Sequence, residues 1–375
     1  MGMTTFLTAG AVLAGIGSLV VLRAVVVGRR SRPARVRLAD LVAPVASAGA
    51  VLLVTLAAAW AWGVDSRVFS AAHVAYLGLV VSLPMLGLGL VVAAARRRTE
   101  PAVAVVAVVL LVAVPVGWYA THWAPYALRV DRATVALPAE RAGTDPVRIG
   151  VLSDLQTNRI GPYEHRVVRT LLAQRPDLIV IPGDLFQGDD RQFQAVLPEY
   201  RALLRTLRAP AGVYVVQGDS ETADRMQRLV EGTGIRILRD DAVALRVGDR
   251  RVLLGGNKLR WAPIEGVALR DRLRAAPAGA IRVLVAHRPE VVLGLPERSG
   301  VDVVIAGHTH GGQVALPLLG PVVKFSPVSR SVAAGGLHEV AGNPIYVSTG
   351  AGLVRQQAPQ VRFLTRPSVG VVTLR

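Results

Sequence analysis

Four apolar stretches fill most of the first third of this chain, at about residues 5–27, 41–62, 73–95 and 101–120. Each is long enough to cross a hydrocarbon core, which takes roughly 20 helical residues. Up to residue 120 the only carboxylates are Asp40, Asp65 and Glu100. Four successive segments of this length and composition predict an all-α transmembrane bundle of about four helices and argue against an ordinary buried helical core. Charge collects between them. Arg29, Arg30, Arg32, Arg35 and Arg37 follow the first stretch and Arg96, Arg97 and Arg98 follow the third, whereas only Asp65 and Arg67 separate the second from the third. Basic loops stay on the cytoplasmic side, so an even number of spans directs both the N-terminus and everything after residue 120 outward. Trp60, Trp62, Trp118, Tyr119 and Trp123 fall near the outer ends of the second and fourth spans, where amphipathic rings favour the interface. A cleaved leader is the rival account of the first stretch, but its basic cluster lies on the wrong side for one. The spans carry almost no charge of the kind that marks an ion path, and Arg23 lies near an end from which it can snorkel, so the predicted role is anchoring.

The chain holds 43 basic and 26 acidic residues, a net charge of +17 that would suggest nucleic acid in a wholly soluble protein. Ten of the basic residues precede residue 120 and have a topological explanation; the 33 that remain, against 23 acidic residues, are spread thinly. A solvated Arg-rich surface accounts for them, and no nucleic-acid partner is expected. With no cysteine, disulfides and thiolate metal sites are excluded.

From residue 148 short β-branched runs alternate with amphipathic stretches such as Tyr163–Arg175, Arg191–Arg208 and Thr222–Glu231, which predicts an α/β domain. Five runs, Arg148–Ser153, Leu178–Pro182, Val213–Gln217, Val283–Ala286 and Val301–Ala306, are each followed at once by polar residues able to bind a metal. These are Asp154, Asp184, Asp219, His287, and the pair His308 and His310. Ligand crevices of open α/β sheets lie beyond the carboxyl ends of the strands, so five such ends would gather these side chains. Carboxylates mixed with neutral imidazoles suit Mn, Fe or Zn, and a carboxylate between two cations supports two-metal hydrolysis. Glycines at 183, 218, 307, 311 and 312 let the backbone approach closely.

At this point the sequence resembles the calcineurin-like metallophosphoesterase superfamily, in particular its membrane-attached bacterial branch. The resemblance rests on Asp154-Leu155-Gln156, Gly183-Asp184, Gly218-Asp219-Ser220-Glu221, His287 and Gly307-His308-Thr309-His310-Gly311-Gly312-Gln313, and covers roughly residues 129–375. Tyr346-Val347-Ser348-Thr349-Gly350-Ala351-Gly352 and the later Arg362-Phe363 resemble the end of that domain. The resemblance implies a central β-sandwich flanked by helices and two divalent metal ions. Asp154 and His310 would bind one ion, His287 and His308 the other, and Asp184 would bridge them, with Asp184 and His308 central to catalysis. Three positions depart from the family pattern. Gln156 stands where a histidine ligand is expected, and its amide oxygen is a harder, weaker ligand that tilts the first site toward Mn or Mg. Asp219 replaces a ligating asparagine. Ser220 replaces the histidine that protonates the leaving group or steadies the phosphoryl; it is assigned to substrate contact, although a hydroxyl is no acid near neutral pH. His165 is expected on the surface of the helix after the first motif, and Glu221 as a first-turn carboxylate.

The expected organisation is a membrane domain over 1–120, a linker with a lead-in strand over 121–147, and the phosphoesterase domain over 148–375. The expected function is a multi-pass, membrane-anchored hydrolase outside the cytoplasm, cleaving a lipid-linked or envelope-derived phosphomonoester or phosphodiester by in-line attack of a metal-bridging hydroxide. The alternative is a catalytically degenerate metal-binding module of the same fold.

Overall fold

A computed structural model describes residues 3–28, 35–62, 67–96, 99–258, 267–355 and 358–375. The chain divides into two compact units, Met1–His122 with Gln356–Gln360, and Trp123–Arg355 with Val361–Arg375. The first unit is helical: α1 (Met3–Gly28), α2 (Val42–Ala61), α3 (Arg67–Leu77), α4 (Leu83–Ala95) and α5 (Pro101–Trp118). A wide π-type turn over Gly78–Ser82 joins α3 to α4, so among the described residues four helices are long and apolar enough to cross a membrane: Met3–Val27, Leu38–Ala61, Arg67–Ala95 and Pro101–Tyr126. The third begins at Arg67, before the apolar stretch itself. Its first turn is amphipathic, with the Arg67 guanidinium over the Trp60 ring and the Ser70 hydroxyl accepting from Trp60 Nε1 at 2.8 Å, a pattern hydropathy does not register. Small residues let these helices approach: Gly87 lies against Leu110 and Ala107, and Gly117 against Val80. Arg29, Arg30, Arg32, Asp65, Arg97 and Arg98 lie outside the described residues.

The second unit is built on two six-stranded mixed sheets. The first runs in the order β1 (Arg129–Val135), β14 (Ser368–Leu374), β2 (Val147–Val151), β3 (Leu178–Ile181), β4 (Val213–Val215) and β5 (Arg236–Ile237), with β2 to β5 parallel. The second runs β12 (Gly336–Val340), β13 (Asn343–Val347), β9 (Val303–Ala306), β8 (Ile281–Val285), β7 (Arg250–Gly256) and β6 (Asp241–Val247), with β13 to β7 parallel. The central strands are buried on both faces and therefore read as unbroken apolar runs. In β3, Leu178 and Val180 enter the core between the sheets while Ile179 and Ile181 pack against the helices. In β8, Val283 and Val285 face that same core and Leu284 faces outward.

Helices α6 (Pro162–Leu172), α7 (Asp190–Leu204) and α8 (Ala223–Val230) cover the first sheet through Val167, Leu171, Phe193, Tyr200 and Leu229. Helices α9 (Val267–Arg274) and α10 (Arg330–Ala333) cover the second through Leu269, Leu273 and Val332. A small hairpin of β10 (Ala315–Leu316) and β11 (Gly320–Pro321) stands apart from both sheets. The result is the expected β-sandwich flanked by helices. The parallel strands β2, β3 and β4 of one sheet and β8 and β9 of the other deliver their carboxyl ends to one crevice.

Candidate metal centre

Three of the five strand ends, those of β2, β3 and β9, turn sharply as they leave their sheets. Asp154, Gln156, Asp184, His308 and His310 all have positive φ, at 50°, 37°, 54°, 70° and 50°. A side chain in this region is strained by on the order of 1–3 kcal/mol, and such strain persists where the surroundings over-determine it and a site needs it. Backbone contacts tie the ends together: Asp154 N donates to Gly183 O at 3.1 Å, and Gly307 N to His287 O at 3.0 Å. The approach leaves no room for side chains. A Cβ at Gly218 would lie 2.1 Å from Asp184 Oδ1, and one at Gly307 would lie 2.4 Å from Asp154 Oδ2.

Two clusters of possible ligands result, Asp219 with His287 and His308, and Asp154 with Asp184 and His287. In the first, Asp219 Oδ2 lies 3.3 Å from His287 Nε2 and 3.0 Å from His308 Nδ1. The opposite nitrogens meet backbone carbonyls, His287 Nδ1 at 2.7 Å from Pro182 O and His308 Nε2 at 3.0 Å from Phe325 O. Those carbonyls take one ring nitrogen of each histidine and turn the other toward Asp219, where a cation would replace the proton shared with the carboxylate, the arrangement that orients metal-binding imidazoles. Asp184 joins the clusters: Oδ1 is 3.5 Å from His287 Nε2, and Oδ2 accepts from Gln156 Nε2 at 2.7 Å. On the far side His310 Nε2 lies 3.7 Å from Asp154 Oδ1. Gln156 Oε1 and His310 Nε2 are both buried without a hydrogen-bond partner among the described residues. Buried polar atoms are seldom left so, and a cation beside Asp154 would satisfy both.

Electrostatics agree with this fit. Burial pushes the Asp154 carboxyl up to about 6, with Asp184 adding to the rise. Burial alone would lower His287, but the carboxylates of Asp184, Asp219 and Asp154 raise it to about 10. The centre is an excess of negative charge that draws protons where divalent cations would serve. Burial and the nearby Arg362 guanidinium hold His310 well below its usual range, leaving it neutral and fit to ligate. Arg362 is fully buried and donates to the carbonyls of Thr349 at 2.8 Å, Gly352 at 2.7 Å and His310 at 3.3 Å, so the closing segment braces the back of the crevice.

Two neighbours of the centre, Glu221 and Arg288, differ from their sequence-based expectation or escape it. Glu221 is not a first-turn carboxylate. Thr222 caps α8 by accepting from Arg225 N at 3.2 Å, so the helix starts beyond Glu221, which is buried. Its carboxyl accepts from Ser220 Oγ at 2.7 Å and from Leu185 N at 3.3 Å, and burial with repulsion from Asp184 raises it to about 8. The Ser220 hydroxyl is thereby engaged, while its backbone N–H donates to Asp184 Oδ1 at 2.8 Å. Arg288 went unnoticed in the sequence. It forks onto Asp219 with contacts of 2.6, 3.0 and 3.1 Å, so the negative charge that Asp219 adds is matched by a guanidinium. Burial would raise Asp219, but His287, His308 and Arg288 hold it well below the carboxylate range. An acidic substitution next to a motif histidine followed by arginine is the signal that could have found this pair. His165 is exposed on α6, as expected.

The family model described as calcineurin-like phosphoesterase matches residues 147–312, the span that contains every strand end named above. The uncharacterized metallophosphoesterase YkuE of Bacillus subtilis is 27% identical over 270 residues, covering 68% of this chain and 89% of the relative. An uncharacterized metallophosphoesterase of Aquifex aeolicus is 27% identical over 281 residues, 71% of this chain and 98% of the relative. The phosphodiesterase YaeI of Escherichia coli is 26% identical over 241 residues, 61% of this chain and 82% of the relative.

Proposed function

We propose that this chain, which belongs to the calcineurin-like phosphoesterase family, is a membrane-anchored phosphohydrolase that cleaves a phosphomonoester or phosphodiester by in-line displacement, without a covalent enzyme intermediate. The observation that carries this reading is Asp184, whose two oxygens each face one group of candidate ligands. Asp219, His287 and His308 would hold one divalent cation, Asp154, Gln156 and His310 a second, and Asp184 would serve both. Held by these residues, two such cations, with Mn, Fe or Zn the best match to the donors, would supply an acidified water and positive charge for the phosphoryl oxygens.

The remaining chemistry belongs to side chains around them. Ser220 orients Asp184 through its N–H and is the residue we assign to substrate contact, and Arg288 balances the charge of Asp219. A serine hydroxyl delivers no proton near neutral pH, which favours substrates with good leaving groups. The bilayer is the partner of the N-terminal helices, the phosphoesterase domain is assigned to the extracytoplasmic side, and no nucleic-acid substrate is expected.

The test is hydrolysis of bis-p-nitrophenyl phosphate and p-nitrophenyl phosphate by the detergent-solubilised full chain, with Mn²⁺, Zn²⁺ or Mg²⁺ restored after chelation. The diester is included because one relative is named a phosphodiesterase. Metal-dependent turnover is expected, and Asp184→Ala should abolish both turnover and stoichiometric metal binding. Full activity in that variant would sink the two-metal mechanism. Gln156 and the engaged hydroxyl of Ser220 favour one second reading, a metal-binding module without turnover, which stoichiometric metal with no hydrolysis of either ester would select.

A further inference from the structure

Exposed apolar side chains are not scattered over the second unit. Of the eleven large ones among its described residues, six, Leu316, Leu318, Leu319, Val322, Val323 and Phe325, fall within the segment 316–325. That segment is the β10–β11 hairpin and the irregular chain after it, with Leu318 wholly exposed at the turn. The hairpin is a braced structure. Val322 N donates to Val314 O at 3.0 Å, Arg330 donates to the Pro321 carbonyl, and Lys324 Nζ donates to Val328 O at 2.7 Å. Its end is wired to the metal centre, because the carbonyl of exposed Phe325 is the group that orients His308.

A contiguous apolar patch of this kind marks an interaction surface, and the charge of the stretch that carries it selects the occupant. No Asp or Glu occurs between Val303 and His338, where the charged side chains are Lys324 and Arg330. Apolar residues projecting from an acid-free, basic stretch match the headgroup–acyl boundary of an anionic bilayer. A bilayer is also the surface available to a chain with four helices long and apolar enough to cross one.

We infer that the β10–β11 hairpin docks into a lipid surface, and that the substrate class of the adjoining centre is a phosphoester carried on a membrane lipid. The substrate half of this inference rests on the hydrolase reading above; the docking half does not.

The absence of cysteine allows both halves to be tested on the full chain in phosphatidylcholine–phosphatidylglycerol nanodiscs. A fluorescent NBD label on Leu318→Cys should be quenched by 5-doxyl lipid and shielded from iodide, whereas a label on the exposed control Glu140→Cys should show the reverse. A label at 318 that iodide quenches and doxyl lipid does not overturns the docking. For the substrate, the double variant Leu318→Ser, Leu319→Ser is compared with the unmodified chain on two diesters sharing one leaving group, soluble bis-p-nitrophenyl phosphate and a diacylglycerol p-nitrophenyl phosphate in the disc. Two leucines' worth of buried apolar surface predicts a loss of about tenfold or more in kcat/KM on the lipid ester, with the soluble ester within about twofold. Equal effects on both esters overturn the substrate assignment. If the unmodified chain hydrolyses neither ester, the hydrolase reading fails while the quenching result still decides the docking.

Discussion

The pairing of Asp219 with Arg288 sets a carboxylate that could ligate a cation against a fixed guanidinium. A carboxylate ligand holds a cation more tightly than an amide oxygen but dulls its Lewis acidity, and a guanidinium forked onto the same carboxylate returns the group toward neutrality. The fork is ordered on both sides, since the Arg288 side chain is 10% exposed and that of Asp219 26%. In Asp219→Asn the guanidinium is left facing a cation without its counter-charge, and Mn²⁺ affinity should fall. In Arg288→Met an uncompensated carboxylate remains, so Mn²⁺ should bind more tightly while kcat declines. The double variant should recover much of the original affinity. Calorimetric titration of the four proteins closes a double-mutant cycle, for which a coupling of at least ~1 kcal/mol is expected of a contacting charge pair. Additive effects would show that Arg288 acts on something other than Asp219.

At the level of elements, the crevice depends on how closely the ends of β3 and β4 approach. Gly218 stands where an added Cβ would lie 2.1 Å from Asp184 Oδ1 and 2.2 Å from Asp184 N, so no rotation of one side chain could relieve the clash. Gly218→Ala should separate the two strand ends and lose metal stoichiometry, yet keep the far-ultraviolet dichroism of the folded sheets. A collapse of secondary structure together with the metal site would instead make Gly218 a determinant of the fold. This geometry also explains what could be read from the chain beforehand. Strands buried on both faces announce themselves as apolar runs, and the polar residue after each run marks the crevice, which is how Asp154, Asp184, Asp219, His287, His308 and His310 came to notice. The other seven strands of the sandwich, β1, β5, β6, β7, β12, β13 and β14, precede no such residue, and several are short or polar, as Arg129–Val135 illustrates with its two arginines, its aspartate and its mixed exposure. Glu221 was misread because Thr222, one residue later, takes the capping position that sets the helix start. The Phe325 carbonyl was invisible because a backbone acceptor has no side-chain signature.

For the molecule as a whole, the decisive quantity is the side of the membrane on which the crevice lies, because that selects which phosphoesters it meets. The distribution of arginine predicts the outer side: the loops after the first and third spans are basic, and the loop between the second and third is nearly uncharged. Folding supplies no counter-argument, since a sandwich with no cysteine needs no oxidising compartment and forbids none. The same absence makes the chain a ready substrate for single-cysteine labelling. A membrane-impermeant maleimide applied to intact cells should modify Glu140→Cys in the second unit and should reach Arg96→Cys, in the loop after the third span, only once the membrane is permeabilised. The opposite pattern would put the centre in the cytoplasm, where nucleotides and nucleic acids are the abundant phosphoesters, and the positive charge of the second unit would then have to be weighed as a recognition feature. Labelling of both sites in intact cells would mean that the four apolar helices do not all cross the bilayer, and the even-span premise of the outward assignment would fail with them.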